Sequence, residues 1–334
     1  MRGLGYLRRK LRKQAPGGLI LLYHRVTTLD SDPQFLSVTP GHFAEHLEVL
    51  HRQYRPTTLS EIATDKGASE NAVAITFDDG YADNQQEALP VLTAAEWPAT
   101  IFVQAGQIGQ EREFWWDELE RVFLRTAKLP GHLRLNVCGA ERIWQMGDCN
   151  RPCDPDWNVL HGENMTDRQS VYVELAALLK IMEDAERERV LGELRVWAGL
   201  PSAGRPSHRS LDEKQLCALA ASRNIEIGAH TMSHPSLASI PLTSQQTEIA
   251  KSKSTIETMI GKPVLSFSYP FGGRGDFCED TMRLVSDAGF DLACANFPGV
   301  VGHPSDRYQL PRVLVRDWDG DVFARHLCAW RANG

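Results

Sequence analysis

Seven short apolar runs, rich in β-branched residues, recur along the chain, and each ends in a polar or glycine-rich turn. The runs cover 19–26, 73–77, 100–103, 225–228, 264–269, 292–295 and 312–315. Apolar runs of this length are typical of parallel strands that are buried on both faces. Helical patterns lie between most of them. This alternation predicts an α/β fold and favours a seven-stranded (β/α) barrel over an open sheet.

Three helix starts are predicted from capping signals in the polar segments between these runs. The signals are Thr39-Pro40 ahead of 42–50, Ser210 with Glu213 as a capping box, and Thr243 with Gln246 ahead of 249–260. In barrels of this kind the chemistry lies on the loops that follow the carboxyl ends of the strands. The candidate functional residues are therefore expected directly after the apolar runs.

One stretch, about 106–206, interrupts the alternation and shows no strand-helix pair. It carries Trp115-Trp116, a long loop over about 149–164 and a single amphipathic helix predicted over 167–198. We interpret it as an insertion made mostly of helix and loop. The predicted organisation is a basic N-terminal segment, 1–17, followed by one barrel domain, 18–334, that contains this insertion.

Composition and charge narrow the possible partners. Hydrophobic residues make up 42% of the chain, and the net charge of −7 argues against binding to nucleic acid. No apolar run reaches the ~18–20 residues that span a bilayer, and the basic start lacks the apolar region of a signal peptide. We therefore expect a soluble, cytoplasmic protein. The basic start is either a solvated terminus or a weak membrane-surface contact, and no pattern predicts an oligomeric state.

The seven cysteines are scattered and odd in number, which predicts reduced thiols rather than a disulfide framework. As an alternative, Cys138, Cys149 and Cys153 hold a structural metal, although the three-residue gap between the last two matches no strong zinc pattern.

The run 73–77 ends in Thr76-Phe77-Asp78-Asp79-Gly80, which places two adjacent carboxylates at a strand end. Adjacent side chains on extended backbone point in different directions. One carboxylate can then coordinate a cation while its neighbour addresses a water or a substrate, as a metal hydrolase requires. The alternative is an ordinary Asp-Asp-Gly turn.

The run 225–228 leads into His230-Thr231-Met232-Ser233-His234. If this turn is helical, the two imidazoles lie on one face and can take neighbouring positions on a metal. Two histidines and one aspartate leave coordination positions open, which suits a catalytic divalent ion such as zinc. The alternative is that both histidines cap a loop.

In this order the two motifs resemble those of the NodB-homology polysaccharide deacetylases, also called carbohydrate esterase family four. The resemblance covers about 18–105 and 207–316. It implies a distorted (β/α)7 barrel, Asp78 as general base, and Asp79, His230 and His234 as ligands of a divalent metal, usually zinc. It also implies hydrolysis of N-acyl, and sometimes O-acyl, groups on sugars.

The first departure from the family is that Ser268 stands where its Arg-x-Pro-aromatic motif has the arginine that neighbours the catalytic aspartate. Arg25 or Arg312 is a candidate replacement, and Arg312 is also a candidate substrate contact. Within the same motif, Tyr269 and Phe271 either line the acyl pocket or pack in the core.

The second departure is that no Leu-x-His motif follows 310–312. Instead, Tyr23-His24 resembles the permuted arrangement of exopolysaccharide deacetylases that begin with a Tyr-His motif. This resemblance implies that His24 is the general acid. The alternatives are that His24 is a core or loop residue and that His303, in a turn, is the acid.

Trp115 and Trp116 either stack on a sugar ring or anchor the insertion. Taken together, these observations predict a metal-dependent hydrolase that removes an N-acyl group, most directly acetyl, from an aminosugar of a surface polysaccharide or its precursor. Two alternatives stay open: an N-deformylase of a formamido sugar, and a carbohydrate-binding pseudoenzyme that has lost the family arginine.

Overall fold

The computed structural model describes residues 17–64, 69, 71–147, 151–160, 165–302 and 305–333. The basic segment 1–16, Cys149 and His303 lie outside the described residues. The strands are β1 (Leu19–Tyr23), β2 (Arg25–Val26), β3 (Ser37–Val38), β4 (Arg55–Pro56), β5 (Ala72–Phe77), β6 (Ala99–Val103), β7 (His132–Val137), β8 (Ala140–Gln145), β9 (Ile225–Ala229), β10 (Ser266–Ser268), β11 (Leu292–Cys294) and β12 (Val313–Leu314).

The α-helices of the described residues alternate with the strands over most of the chain. They are α1 (Pro40–Gln53), α2 (Leu59–Ile62), α3 (Leu89–Ala94), α4 (Trp115–Glu120), α5 (Asp167–Lys180), α6 (Asp184–Ala198), α7 (Glu213–Ala221), α8 (Leu242–Ile260), α9 (Glu279–Asp287) and α10 (Gly320–Asn333).

Seven parallel strands form the central sheet in the order β11-β10-β9-β6-β5-β1-β12, and the short strand β4 pairs beside β5. The last strand thus lies next to the first. The segment that leads into β12 also bonds to β11, where Leu310 N donates to Ala293 O and Ala295 N donates to Leu310 O, each over 2.9 Å. The predicted distorted (β/α)7 barrel is confirmed.

The apolar runs are continuous because both faces of each strand are covered. On β1, Leu21 belongs to the core cluster that includes Phe43 of α1, whereas Ile20, on the other face of the strand, does not. Ile20 belongs instead to a second cluster, which contains Phe102 of β6 and Cys294 of β11. Burial on both faces removes the polar alternation that a half-exposed strand would show.

The region between β6 and α7 differs from its prediction in two ways. It contains an antiparallel hairpin, β7 and β8, whose two-residue turn places Cys138 and Gly139 at φ 51° and 81°. Both angles match a type I′ hairpin turn. The prediction of a single helix over 167–198 is also wrong, because the segment forms two helices, α5 and α6, and residues 181–183 between them are not helical. These elements share a hydrophobic cluster that contains Trp116, Leu135 and Leu191.

Of the three predicted helix starts, one is confirmed: Thr39 caps α1. The predicted box at Ser210 is wrong, because the Ser210 hydroxyl donates to Gln107 O over 2.6 Å and Asp212 caps α7 instead. The start at Thr243 is also wrong, since α8 already begins at Leu242.

Two further sequence expectations concern the whole chain. All six described cysteines are free thiols, and neither Cys138 nor Cys153 joins a cluster of possible metal ligands within the described part of the chain. None of the described helices has the length and apolar character that crossing a membrane requires.

Candidate active site

The predicted catalytic residues come from three strand ends that meet at the carboxyl end of the barrel. Asp78 and Asp79 follow β5, His230 and His234 follow β9, and His24 follows β1. The first four are at most 5% exposed. Residues that are distant in sequence therefore lie together in one small, buried site, in which charges interact strongly.

Asp79, His230 and His234 form the one cluster within the described residues that could hold a metal ion, with three ligand atoms within 4.8 Å of one another. Asp79 Oδ1 lies 3.6 Å from His230 Nε2 and 3.4 Å from His234 Nε2. Ligand atoms at 2.0–2.2 Å from a tetrahedral zinc ion lie about 3.3–3.6 Å apart. The two separations from Asp79 therefore match those expected around such an ion.

The charges around Asp79 also suit a cation. Burial, followed by the neighbouring carboxylates of Asp78 and Asp117, raises the pKa of Asp79 well above its usual value. Burial lowers the pKa of His230 and lowers that of His234 well below the usual value, so both imidazoles are neutral. Neutral imidazoles are the form in which histidine binds a metal.

The two histidines are brought together by a loop and not by the helical turn that their spacing suggested. Thr231 and His234 have left-handed backbone, at φ 64° and 59°, and the two imidazole rings are 4.8 Å apart. His230 Nδ1 contacts Ser268 O at 2.7 Å, which leaves His230 Nε2 facing Asp79. His234 N donates to Thr231 Oγ1 over 2.9 Å. The condition of a helical turn is not met, and the loop brings the two rings together instead.

Arg312 occupies the position next to Asp78 that the family arginine was expected to fill. Its Nη1 donates to Asp78 Oδ1 and its Nη2 donates to Asp78 Oδ2, each over 2.7 Å. Ser268 completes the contact, since its hydroxyl donates to Asp78 Oδ2 and accepts from Arg312 Nη2. Arg25 is excluded as the replacement because its Nε donates to Asp83.

This placement corrects the prediction that Arg312 contacts the substrate. Its side chain has 0% exposure and also donates from Nε to Ala295 O. Burial alone would raise the pKa of Asp78, but Arg312 and His230 outweigh it and lower that pKa to about 2. Arg312 therefore keeps Asp78 ionised and fixes its orientation.

His24 lies beside this pair and is partly exposed. Burial lowers its pKa to about 4, although the charge of Asp78 opposes the shift. Its Nδ1 is buried and has no hydrogen-bond partner among the described residues. Tyr23 pairs with Phe77 and Asp78 N donates to Tyr23 O over 3.0 Å, so His24 follows its strand at the same end of the sheet as Asp78.

Aromatic rings surround His234, and they come from two segments. The ring centroids of Trp116 and Phe271 each lie 4.7 Å from that of His234. Trp115 and Trp116 are at most 7% exposed, and Trp116 Nε1 donates to Tyr81 OH over 2.7 Å. These contacts favour the anchoring role for both tryptophans over stacking on a sugar.

The prediction that Tyr269 lines the acyl pocket is wrong. Its ring is fully buried and stacks on Phe277 at a centroid distance of 4.0 Å. Its hydroxyl donates to Tyr308 O over 2.8 Å. Tyr269 is a core residue, while Phe271 remains beside His234.

A cleft near His24 was missed in the sequence. It has a volume of about 740 Å³, and loops after β2 and β12 and a segment of the insertion line it with residues that include Phe35, Trp157, Arg316 and Trp318. Thr27, another lining residue, is three positions from His24, and the charge of Arg316 contributes to the low pKa of His24. The sequence contained one indication of this cleft, because the lining residue Arg316 directly follows the seventh apolar run, where functional residues were expected.

Comparison with known proteins supports the resemblance. A family model described as polysaccharide deacetylase matches residues 65–131 and 202–293, which include both metal-cluster motifs. The chain belongs to the polysaccharide deacetylase family. The two matched segments flank the region 132–201, which holds β7, β8, α5 and α6 and is not matched by the family model.

Two related sequences carry polysaccharide deacetylase names. A Bacillus subtilis protein that bears the name polysaccharide deacetylase YxkH is 24% identical over 324 residues, covering 95% of this chain and 78% of that protein. The poly-β-1,6-N-acetyl-D-glucosamine N-deacetylase of Escherichia coli K12 is 32% identical over 88 residues. That match covers 25% of this chain and 13% of the Escherichia coli protein.

Two solved structures share the fold at low sequence identity. IcaB from Ammonifex degensii superposes with a TM-score of 0.56 at 18% identity, covering 95% of this chain and 98% of that one. The Streptococcus pyogenes deacetylase PplD, solved in complex with acetate, superposes with a TM-score of 0.56 at 15% identity. That match covers 93% of this chain and 98% of PplD.

The Asp78–Arg312 pair predicts a pH-dependent stability difference. We expect Arg312→Leu to lower the free energy of unfolding at pH 7 by ~3–5 kcal/mol, because it leaves a buried carboxylate unpaired. The depressed pKa of Asp78 contributes stability above about pH 4 that is lost as the pH falls through about 2. In the variant, burial raises this pKa, so stability falls as the pH rises.

Denaturant unfolding of the metal-free proteins at pH 5 and pH 8 measures this difference. The gap between wild type and Arg312→Leu should be larger at pH 8. A gap of equal size at both pH values would contradict an ionised, arginine-paired Asp78.

Proposed function

We propose that this chain is a metal-dependent hydrolase that removes the acetyl group from an N-acetylated amino sugar of a polysaccharide. The observation that carries the proposal is the buried Asp79-His230-His234 cluster beside an arginine-held Asp78. The name of the Escherichia coli relative, a poly-N-acetylglucosamine N-deacetylase, supports this substrate class.

Asp79, His230 and His234 would hold the metal, and the mixture of one carboxylate and two imidazoles suits zinc. When bound there, a divalent cation supplies a Lewis acid that polarises the substrate carbonyl and makes a water easier to deprotonate. Three protein ligands leave room for substrate and water, which is typical of catalytic and not of structural zinc sites.

Asp78 accepts the proton of the attacking water. Arg312 Nη1 is the one donor to Asp78 Oδ1 among the hydrogen bonds of the described residues, so a second lone pair of this oxygen is available. Oδ2 already accepts from Arg312 and Ser268. The bidentate pair fixes the carboxylate, which supplies the positioning that proton transfer needs.

His24 gives a proton to the leaving amine. With a pKa of about 4 it is neutral at pH 7, so this proton must reach it during the reaction. Asp78, with a pKa of about 2, releases a proton more readily than protonated His24 does. Asp78 would pass the proton that it takes from the attacking water to His24, and His24 would pass it to the leaving amine, which is more basic than either residue.

The sugar chain would lie along the cleft that the loops after β2 and β12 line. Its side chains Phe35, Trp157 and Trp318 offer apolar rings, and its volume of about 740 Å³ falls in the usual range for ligand sites. Phe271 would border the acyl group, because it packs against His234.

The alternatives differ in what supports them. A deformylase would use the same residues, so an assay must determine whether the enzyme removes an acetyl or a formyl group. The argument for a pseudoenzyme is that the family arginine is missing at position 268. Arg312 makes the contact with Asp78 that this arginine was expected to make, so the argument no longer applies.

The test is mass spectrometry of N-acetyl and N-formyl glucosamine oligomers after incubation with zinc-loaded or chelator-treated protein. We expect loss of the acetyl group with zinc and no reaction after chelation. Equal turnover in the chelated protein would contradict metal dependence, and loss of formyl alone would favour the deformylase.

A further inference from the structure

The loop between His230 and His234 has a backbone that its own residues do not favour. Thr231 and His234 are both left-handed, at φ 64° and 59°. This region is rare for non-glycine residues and a true outlier for a β-branched one such as Thr231. Such conformations persist only where the surroundings hold them in place. Contacts from other parts of the fold must therefore hold residues 231–234.

One contact comes from Glu248 on α8. Its Oε2 accepts from Met232 N over 2.8 Å and from Ser233 N over 2.9 Å. Its Oε1 accepts from the Ser233 hydroxyl over 2.8 Å. One carboxylate therefore binds both peptide N–H groups that lie between the two left-handed residues. Hydrogen bonds to a charged acceptor are stronger than neutral ones.

A second contact comes from Arg187 on α6, in the region that the family model does not match. Its Nη2 donates to Ser233 O, and the residue is 1% exposed. Ser233 is thus bound through its N–H by Glu248 and through its carbonyl by Arg187. The Ser233 carbonyl belongs to the peptide that joins Ser233 to His234, so these contacts hold the backbone directly before His234.

We propose that Glu248 and Arg187 are positioning residues that hold His234 in the geometry needed to bind metal, and so set the metal affinity. This inference rests on the proposed function, because it requires a metal at the Asp79-His230-His234 cluster. Partners that orient metal ligands typically contribute 10–100-fold to affinity. Through Arg187, α6 would contribute to the geometry of the candidate metal site.

The experiment measures the zinc dissociation constant of stripped protein by competition with a chromophoric chelator. We expect Glu248→Gln to weaken zinc binding by roughly 10–100-fold. Glutamine keeps one acceptor oxygen, but its amide NH₂ would face N–H and O–H donors. Thermal unfolding without zinc reports separately on the stability of the fold.

Glu257→Gln is the matched control. Glu257 is on the same helix, accepts from Val264 N over 2.9 Å and pairs with Lys253 at 3.1 Å, at the other end of α8. It should lower thermal stability without changing the zinc dissociation constant. An equal loss of zinc affinity in both variants would overturn the proposal, because general destabilisation would then explain it.

Two further variants keep the test decisive. If Glu248→Gln does not fold, Ser233→Ala removes only the bond to Oε1 and should weaken zinc binding to a smaller extent. Arg187→Lys retains the charge without the planar guanidinium and should also weaken it. Tighter zinc binding in Arg187→Lys, or an unchanged constant in folded Glu248→Gln, would overturn the inference. Wild-type protein that binds no zinc would instead overturn the proposed function.

Discussion

Asp78→Asn should retain one metal ion per chain and lose roughly 10²–10⁴-fold in kcat, because it removes the proton acceptor and preserves the side-chain shape. Asp79→Ala, one residue away, should lose both the metal and turnover. The contrast follows from the contacts of the two carboxylates. Asp78 is bound to Arg312, whereas Asp79 Oδ1 faces both imidazoles.

Metal content by elemental analysis and kcat on the acetylated oligomer provide the two measurements. His230→Ala and His234→Ala should behave like Asp79→Ala. Thermal unfolding of each variant ensures that rates refer to folded protein, since Asp78→Asn also weakens a buried ion pair. If Asp78→Asn lost its metal, or Asp79→Ala kept full activity, the division of roles between the two aspartates would be wrong.

His24→Ala should lose on the order of 10²–10⁴-fold in kcat on an N-acetyl sugar and much less on an activated aryl acetate. The physical reason is the leaving group. An amine must be protonated as it departs, whereas an activated phenol leaves readily as its anion. The position of His24, coupled electrostatically to Asp78 and His230, is what makes a proton-transfer role possible.

Both substrates should be measured on metal-loaded wild type and variant. Equal losses on the two substrates would indicate structural damage or a ligand role for His24. Unchanged kcat on the N-acetyl sugar would remove His24 from the proton pathway and leave His303 or a water as the acid.

The strands of the barrel were predictable because fully buried parallel strands need continuous apolar sequence. All seven predicted runs contain a strand of the sheet. The hairpin β7–β8 was missed although its burial alternates along β7, since a half-exposed strand carries a weaker apolar signal. The division of 167–198 into α5 and α6 was missed because residues 181–183, between the two helices, include no proline or glycine that would mark a helix end.

The residue types of the candidate metal cluster were also predictable, because few side chains bind a divalent ion and they follow strand ends. Their local geometry was not. The left-handed backbone at Thr231 and His234 goes against local preference, and contacts with Glu248 and Arg187 accompany it. The spacing of the two histidines allowed a helical turn but did not require one.

The sequence by itself therefore determined the barrel strands and the set of polar side chains at their ends, because both depend on residues that are close in the chain. Only the tertiary structure decided which arginine meets Asp78, that Tyr269 packs in the core, and that a cleft forms beside His24. Arg312 lies 234 positions from Asp78, and such a contact exists only after the sheet has brought the two strands together. Pairings of this kind depend on the closure of the barrel, which no local pattern of residues encodes.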